Sequence, residues 1–345
     1  MGRRALLFKQ KPVVLKKASS EPDFSASTVL VSDPWQYVDL WLRREKLNDA
    51  RFYWEQAHQF FNAARMLPPT ASPLPAYYCM LNATKALLEA KKCTYKQQHG
   101  VSGDSDPGRR GLRAELVKFQ ASGVLPALID YLGEDSTPKT FSLYDLLYNL
   151  PCVHRAFTVT FKSAKELFIP IKKPRFIVTS DSNKVWFEAT LEPSTTSGHT
   201  LGKLPPGYEQ DKGVADACAI RRKRRFNWTF TKAEEANNLR RLCKYHHEVR
   251  KSVFYIYGST RLWYLKRKED GARDYVNHTS LVLMFAAMHR LSEFARYEPL
   301  ALAKHFDAPH NWLLTEFIDV APAQFIDEIA AEMTGRDFMV PGIRK

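Results

Sequence analysis

The chain has 345 residues, is 45% hydrophobic and 12% aromatic, and carries a formal net charge of +14; it is long enough to bury the core of one large domain or two small ones. No run approaches the ~18 apolar residues of a membrane span. The basic start MGRRALLFKQKPVVLKK lacks the apolar stretch and cleavage site of a leader, and Leu6 stands where a myristoylation signal needs Ser or Thr. A cytoplasmic protein without a membrane partner is expected.

Residues 1–33 read as a weakly ordered segment with a short strand near Ala5–Phe8. Asp33-Pro34 opens a helix, with Asp as N-cap and Pro in the first helical position. Trp35, Val38 and Leu42 form its buried side, with Trp41 at the edge. From Phe52 to Gly100 the chain reads as an antiparallel helical hairpin. Tyr53, Ala57, Phe60, Phe61 and Ala64 make one apolar stripe; Pro68, Pro69, Pro73 and Pro75 break the chain; Leu74, Tyr77, Tyr78, Leu81 and Leu88 make the second stripe. Asn82, Lys85 and Glu89 share the other face of the second helix, and a polar exit leads to His99-Gly100. VSGDSDPGRRG then reads as an exposed loop that lacks the GxxxxGK[ST] order of a phosphate loop. Short helices are predicted at 112–119, 125–132 and 143–150.

The period then changes. Runs at 156–161, 166–171, 175–179 and 184–191 are β-branched or aromatic and bounded by turn residues. Residues 193–219 read as loop and 232–247 as a polar helix, and strands at 253–257 and 261–265 turn at Gly258-Ser259. Leu281, Met284, Phe285, Met288 and Leu291 form the stripe of a late helix, capped near Thr279-Ser280 and ended at Tyr297-Glu298-Pro299. Shorter helices follow at 312–320 and 324–333. The expected fold is mainly α (α+β): a helical bundle built from the N-terminal hairpin and the C-terminal helices around Phe60, Tyr78, Leu81, Phe285 and Met288, with an inserted small antiparallel β-sheet. Its parts are a weakly ordered 1–33, a helical 34–150, a β-rich 151–275 with a basic loop, and a helical 276–345 packing on the hairpin.

Cys79, Cys93, Cys152, Cys218 and Cys243 are odd in number and have no CxxC pair, which points to reduced thiols and to neither a zinc site nor a disulfide framework. No cofactor or metal is expected. Between Arg221 and Arg273 there are sixteen Lys and Arg against five Asp and Glu. A field of that sign suits a polyanion. Arg221, Arg222, Lys223, Arg224 and Arg225, with Trp228 just behind them, have the composition that clamps phosphates and stacks a base; a solvated charged loop is the plain alternative. His289, Glu293 and Arg296 fall on one helix face, as a polar cluster in a cleft or a surface ion pair. His99, before a glycine, is a site residue or a helix-ending cap.

Several segments together resemble the YaaC-like family: FYWEQAHQFFNAARM with PLPAYYCMLNATKALL, HGVS at His99–Ser102, FSLYDLLYNLP, SLVLMFAAMHRLSEFARYEP and NWLLTEFIDVAP. The resemblance spans roughly residues 35–335. The chain departs from it in the RRKRR run and after RYEP, where LALAKH stands in place of a segment with tryptophan. A helix ending KALL, then a short exit and a histidine, is similar to the second helix of HEPN-type bundles. That similarity implies a His acting as general acid/base and an Arg stabilising phosphate charge, four to six residues apart, in a dimer. Arg241 and His246 meet the spacing, but ahead of the late strands; His99, His289, Glu293 and Arg296 are the catalytic candidates on better-placed elements.

Two functions are expected. One is a nucleic-acid-directed effector, a HEPN-like ribonuclease in anti-phage defence. The other is a non-catalytic binding or scaffold subunit, a homodimer or part of a complex, that docks RNA, DNA or an acidic protein partner through its basic segment. Only the first predicts cleavage.

Overall fold

A computed structural model describes residues 2–179, 181–192, 201–258, 262–267 and 274–340. The chain splits into two compact units: Met1–Val29 with Leu167–Gly271 and Gly335–Met339, and Leu30–Glu166 with Ala272–Thr334 and Val340–Lys345.

The first unit corrects the expected fold class. Helix accounts for 45% of the structure and strand for 20%, and the strands gather into a large curled antiparallel sheet, so this is not a helical bundle with a small insert. The sheet has eight strands. Its main path runs Tyr208–Gln210, Ala219–Arg222, Lys184–Leu191, Phe168–Thr179, Leu262–Lys266, Val253–Ile256; Arg3–Ala5 pairs with Phe168–Thr179 and Phe226–Asn227 with Lys184–Leu191. The runs expected at 166–171 and 175–179 are one strand, bent by an irregularity between Lys172 and Arg175 where Lys173 takes φ 49°. Part of the 193–219 loop is in fact the strands Tyr208–Gln210 and Ala219–Arg222, too short to announce themselves by alternation; residues 193–200 lie outside the described residues. Ser259 and Arg261, placed at the turn and start of a late strand, lie outside them too.

One face of the sheet is closed by the Glu235–Arg250 helix, whose Leu242, Tyr245 and Val249 join Phe176, Phe187 and Val253 in one core. The N-terminal segment belongs to the same core: Leu6, Phe8, Val13 and Leu15 are buried in it, and Leu6 N–H donates to the Phe176 carbonyl at 2.8 Å. Its apolar residues are too scattered for a period, so the sequence alone leaves it without a partner.

The second unit holds the helical hairpin, Asn48–Arg65 and Pro73–Ala90, against which Ser280–Tyr297 packs. Phe285, Met288 and Leu81 are buried as expected. Phe60 and Tyr78 stack at 5.4 Å on the half-buried rim, while Tyr77 takes the central place, 5.4 Å from Phe285. The Pro34–Arg44 helix starts at Asp33, whose carboxylate accepts from Trp35 N–H at 2.9 Å. The late helix begins after Thr279, but neither hydroxyl caps it; Glu134 accepts from Thr279 N–H at 3.0 Å.

Three local expectations fail in this unit. Val101–Ser105, Glu115–Phe119 and Thr140–Ser142 form a three-stranded sheet where an exposed loop and a helix were expected. Glu115, Val117 and Phe119 point inward at period two, which Leu112 and Leu116 disguise as a helical stripe. His154–Thr160 is a helix despite its β-branched composition, because Ala156 and Phe157 bury one side. Asn311–Thr334 runs unbroken through Pro322 as one helix. Among the described residues no helix is long and apolar enough to cross a membrane.

Candidate functional site

Four of the candidates named from sequence meet in the second unit. The Ser280–Tyr297 helix carries His289, Glu293 and Arg296, and the Pro73–Ala90 helix brings Tyr77 and Lys85 to the same place. His99 enters from the connection between Pro73–Ala90 and the Val101–Ser105 strand. It is no helix cap, since the helix ends at Ala90. Its backbone is clamped: the His99 carbonyl accepts from Leu125 N–H at 3.1 Å. Gly100 takes φ +78° and lies so close to the facing turn that a Cβ would fall 2.4 Å from Pro126 Cδ, so only glycine fits beside the histidine.

The Tyr77 hydroxyl is 2.7 Å from His99 Nδ1, and the two rings stack at 5.4 Å. The His289 ring stands edge-on to both, 4.9 Å from Tyr77 and 5.6 Å from His99. Glu293 accepts from Gly103 N–H at 3.0 Å and from Arg290 at 3.3 Å, and lies 3.8 Å from His289 Nδ1. Arg290, almost fully buried, also donates to Ser105 Oγ and Glu115 Oε2, both at 2.8 Å. Glu115 Oε1 is 3.3 Å from His305 Nε2, and His305 Nδ1 is 3.0 Å from His310 Nε2. One polar chain therefore joins His310 to Glu293.

Burial sets the charge states. It pushes the Tyr77 hydroxyl well up, helped by Tyr78 and Glu293. It pulls His289 down to about 3, with His99 and Arg290 adding to the effect. His99 is lowered from its ordinary value by burial first, then by the cations Lys85 and Arg296. Both histidines are thus neutral near pH 7, and the contact between His289 and Glu293 is not an ion pair. Lys85 is itself lowered by burial, and its ammonium lies 5.3 Å from the Tyr53 ring centre.

This arrangement can move a proton beside an anion. His99 Nε2 has no hydrogen-bond partner among the described residues, while Nδ1 is held by Tyr77. Lys85 and Arg296 supply positive charge at the same ring, and Arg296 is exposed. Tyr77, Arg290, Glu115, His305 and His310 were not legible as site residues. Tyr77 reads as core in its helical stripe, and the others are joined by contacts between distant segments that no local spacing encodes.

The remaining candidates, all in the first unit, are not brought together. Arg241 is exposed and pairs with Glu234 at 3.4 Å, whereas His246 is fully buried, accepts from Lys16 N–H at 3.1 Å and lies 5.3 Å from the Phe24 ring. Burial drives His246 well below its ordinary value. The spacing match is a coincidence of a half-buried helix: five residues turn the two side chains to opposite environments. Trp228 is 4% exposed and packs edge-on against Phe8 and Phe226, which leaves no open face for a base. The basic run is split. Arg221 pairs with Glu209 at 2.9 Å and Arg222 lies against Tyr245 and Glu248, whereas Lys223, Arg224 and Arg225 are exposed.

No curated protein and no solved structure matches the chain. A family model described as YaaC-like Protein matches residues 15–333. That match takes in most of the strand-rich unit, the connection that carries His99 and the helix that carries His289, and the chain belongs to the YaaC-like family.

Proposed function

We propose that this protein is a nucleic-acid-directed effector that cleaves RNA at His99, a HEPN-like ribonuclease serving anti-phage defence. The observation that carries the reading is the His99 ring, neutral, anchored through Nδ1 and within the field of the cations Lys85 and Arg296. In HEPN domains the catalytic Arg and His lie close in sequence; here Arg296 and His99 come from separate segments, and the charge of Arg296 acts on the His99 ring. With Nδ1–H donating to the Tyr77 oxygen, Nε2 holds the lone pair of a base. It takes the proton of a ribose 2′-hydroxyl as that oxygen bonds to the adjacent phosphorus. The bond from phosphorus to the 5′-oxygen breaks, water protonates the leaving oxygen, and a 2′,3′-cyclic phosphate remains. Lys85 and Arg296 offset the charge that builds on the phosphoryl oxygens.

The test is incubation of the full chain with total RNA, with magnesium and with a chelator, followed by a denaturing gel. Cleavage should persist in the chelator and fall by ~10²–10⁴-fold in His99→Ala. Intact RNA with the parent protein under both conditions removes the reading.

A second reading rests on a different observation: the side chains of Lys223 and Arg224 have no ion-pair partner among the described residues. A non-catalytic subunit would use them, with Arg225, to dock nucleic acid or an acidic protein. It binds RNA and DNA alike and cleaves neither.

A further inference from the structure

The turn after the Val101–Ser105 strand, the Leu143–Tyr148 helix and Asp274 line a cavity of about 330 Å³ that contains Arg109, Arg110, Arg113, Asp145 and Asp274. Its parts have distinct hydrogen-bonding capacity. The Arg113 guanidinium lies 3.5 Å from the Tyr144 ring centre, and its terminal nitrogens grip Asp274 at 2.8 and 2.7 Å. A guanidinium directs its donors in its own plane. The face turned away from Tyr144 therefore offers no donor, but it is flat, cationic and fixed in place. Such a face takes a stacked aromatic ring better than a phosphate.

Phosphate donors lie beside it. Arg109 spends Nε on Asp106 at 3.1 Å, which leaves its terminal nitrogens for another acceptor. Arg110 is exposed, and its side chain has no hydrogen bond or ion pair among the described residues. Asp145 and Asp274 repel a phosphate from the Arg113 end and accept from ring or amine N–H groups there. The cavity is at the small end of the ~300–1,000 Å³ of ligand pockets, suited to a single nucleotide.

We propose that this cavity binds a nucleoside 5′-phosphate, with its base flat on Arg113 and its phosphate on Arg109 and Arg110. The site is separate from the His99 chemistry and stands or falls without it.

Titration calorimetry of the full chain with AMP, adenosine, ribose 5-phosphate and inorganic phosphate tests it. AMP should bind saturably, and each fragment at least ~10-fold more weakly. Arg110→Ala, at an exposed side chain with no partner among the described residues, should weaken AMP by ~10-fold or more and leave adenosine unchanged. Arg113→Lys keeps the charge beside Asp274 but removes the planar face, so it should weaken AMP and adenosine alike. A 5′-phosphorylated dinucleotide separates the two sources of this chemistry: binding as tight as AMP assigns the cavity to the end of a strand, and weaker binding assigns it to the free nucleotide. No heat with millimolar AMP overturns the proposal, as does an Arg110→Ala variant that folds and binds AMP like the parent. Ribose 5-phosphate binding as tightly as AMP overturns the role given to the base.

Discussion

The Tyr77 hydroxyl stands 2.7 Å from His99 Nδ1 in a place where burial keeps that hydroxyl protonated. A hydroxyl can donate to the ring or accept from it, so the contact orients His99 in either tautomer. The ring is thereby aimed with Nε2 outward, at no cost in charge.

Tyr77→Phe removes that hold and little else. Loss of one buried hydrogen bond costs about 1 kcal/mol of stability, whereas a catalytic ring set loose costs up to ~10²-fold in rate. In the cleavage assay the variant should therefore lose far more activity than its melting temperature suggests. The parent should also show an acid limb in kcat/KM with an apparent pKa below the ordinary histidine value, because burial, Lys85 and Arg296 lower His99 and the neutral ring is the active form. Unaltered kcat in Tyr77→Phe, or a limb above the ordinary value, contradicts the assignment of His99 as the base.

Acid should destabilise the fold in a defined window. His289 is lowered to about 3 and His310 to about 4, both chiefly by burial. The unfolded chain takes up a proton at each histidine near the ordinary value of ~6.5, and the folded chain resists. Their contribution is therefore complete above ~6.5 and is lost as pH falls toward the folded values. Between pH 7 and 5 each site removes on the order of 2 kcal/mol. Urea unfolding at the two pH values measures this, and His289→Gln should flatten the slope. Equal stability of the parent at pH 7 and 5 would show that these rings are solvated.

Much of this was readable in advance, and the limits have physical causes. Long amphipathic helices announce themselves by period, so Pro34–Arg44, the hairpin and Ser280–Tyr297 could be placed, and His289, Glu293 and Arg296 with them. The polar face of a helix is local information. The curled sheet is not: Arg3–Ala5 pairs with Ile177–Thr179, and strands of two to four residues carry too little pattern to be seen. The RRKRR run misled in the same way. Its first two arginines lie on a strand, where cross-strand partners, Glu209 among them, claim the charge that composition credits to a ligand.

That split predicts two classes of effect in the basic run. Neutralising Lys223 and Arg224 should leave stability within ~0.5 kcal/mol; if they hold phosphates, the slope of log affinity against log salt falls by ~0.7–0.9 for each phosphate no longer neutralised. Trp228→Ala belongs to the other class. It empties a core position beside Phe8 and Phe226 and should cost ~3–5 kcal/mol. Denaturation curves and salt-dependent binding to an RNA oligomer separate them. A Trp228→Ala protein of parental stability that binds single strands more weakly would restore the stacking role.

Arg290 is the most exacting position in the second unit. It is 3% exposed, and its guanidinium bridges Glu293, Ser105 and Glu115 while lying 4.0 Å from the Phe294 ring centre. Burial raises the Glu115 carboxyl, but bonds from His305, Arg290 and Ser105 outweigh it and hold the group ionised. Removing Arg290 leaves that charge short of its partner inside the protein, so Arg290→Met should cost ~3–5 kcal/mol. Lysine should not rescue it, since an ammonium cannot span three acceptors in one plane. Adding Glu115→Gln to Arg290→Met removes the stranded charge and should recover a large part of the loss. Chemical denaturation of the two single variants and the double variant measures the coupling. If the effects of Arg290→Met and Glu115→Gln simply add, the contact between Arg290 and Glu115 contributes nothing to stability. A Cβ at Gly103 would collide with Glu293 Oε2 and fall 2.6 Å from Arg290 Cδ, so Gly103→Ala should displace both side chains and lower stability as well.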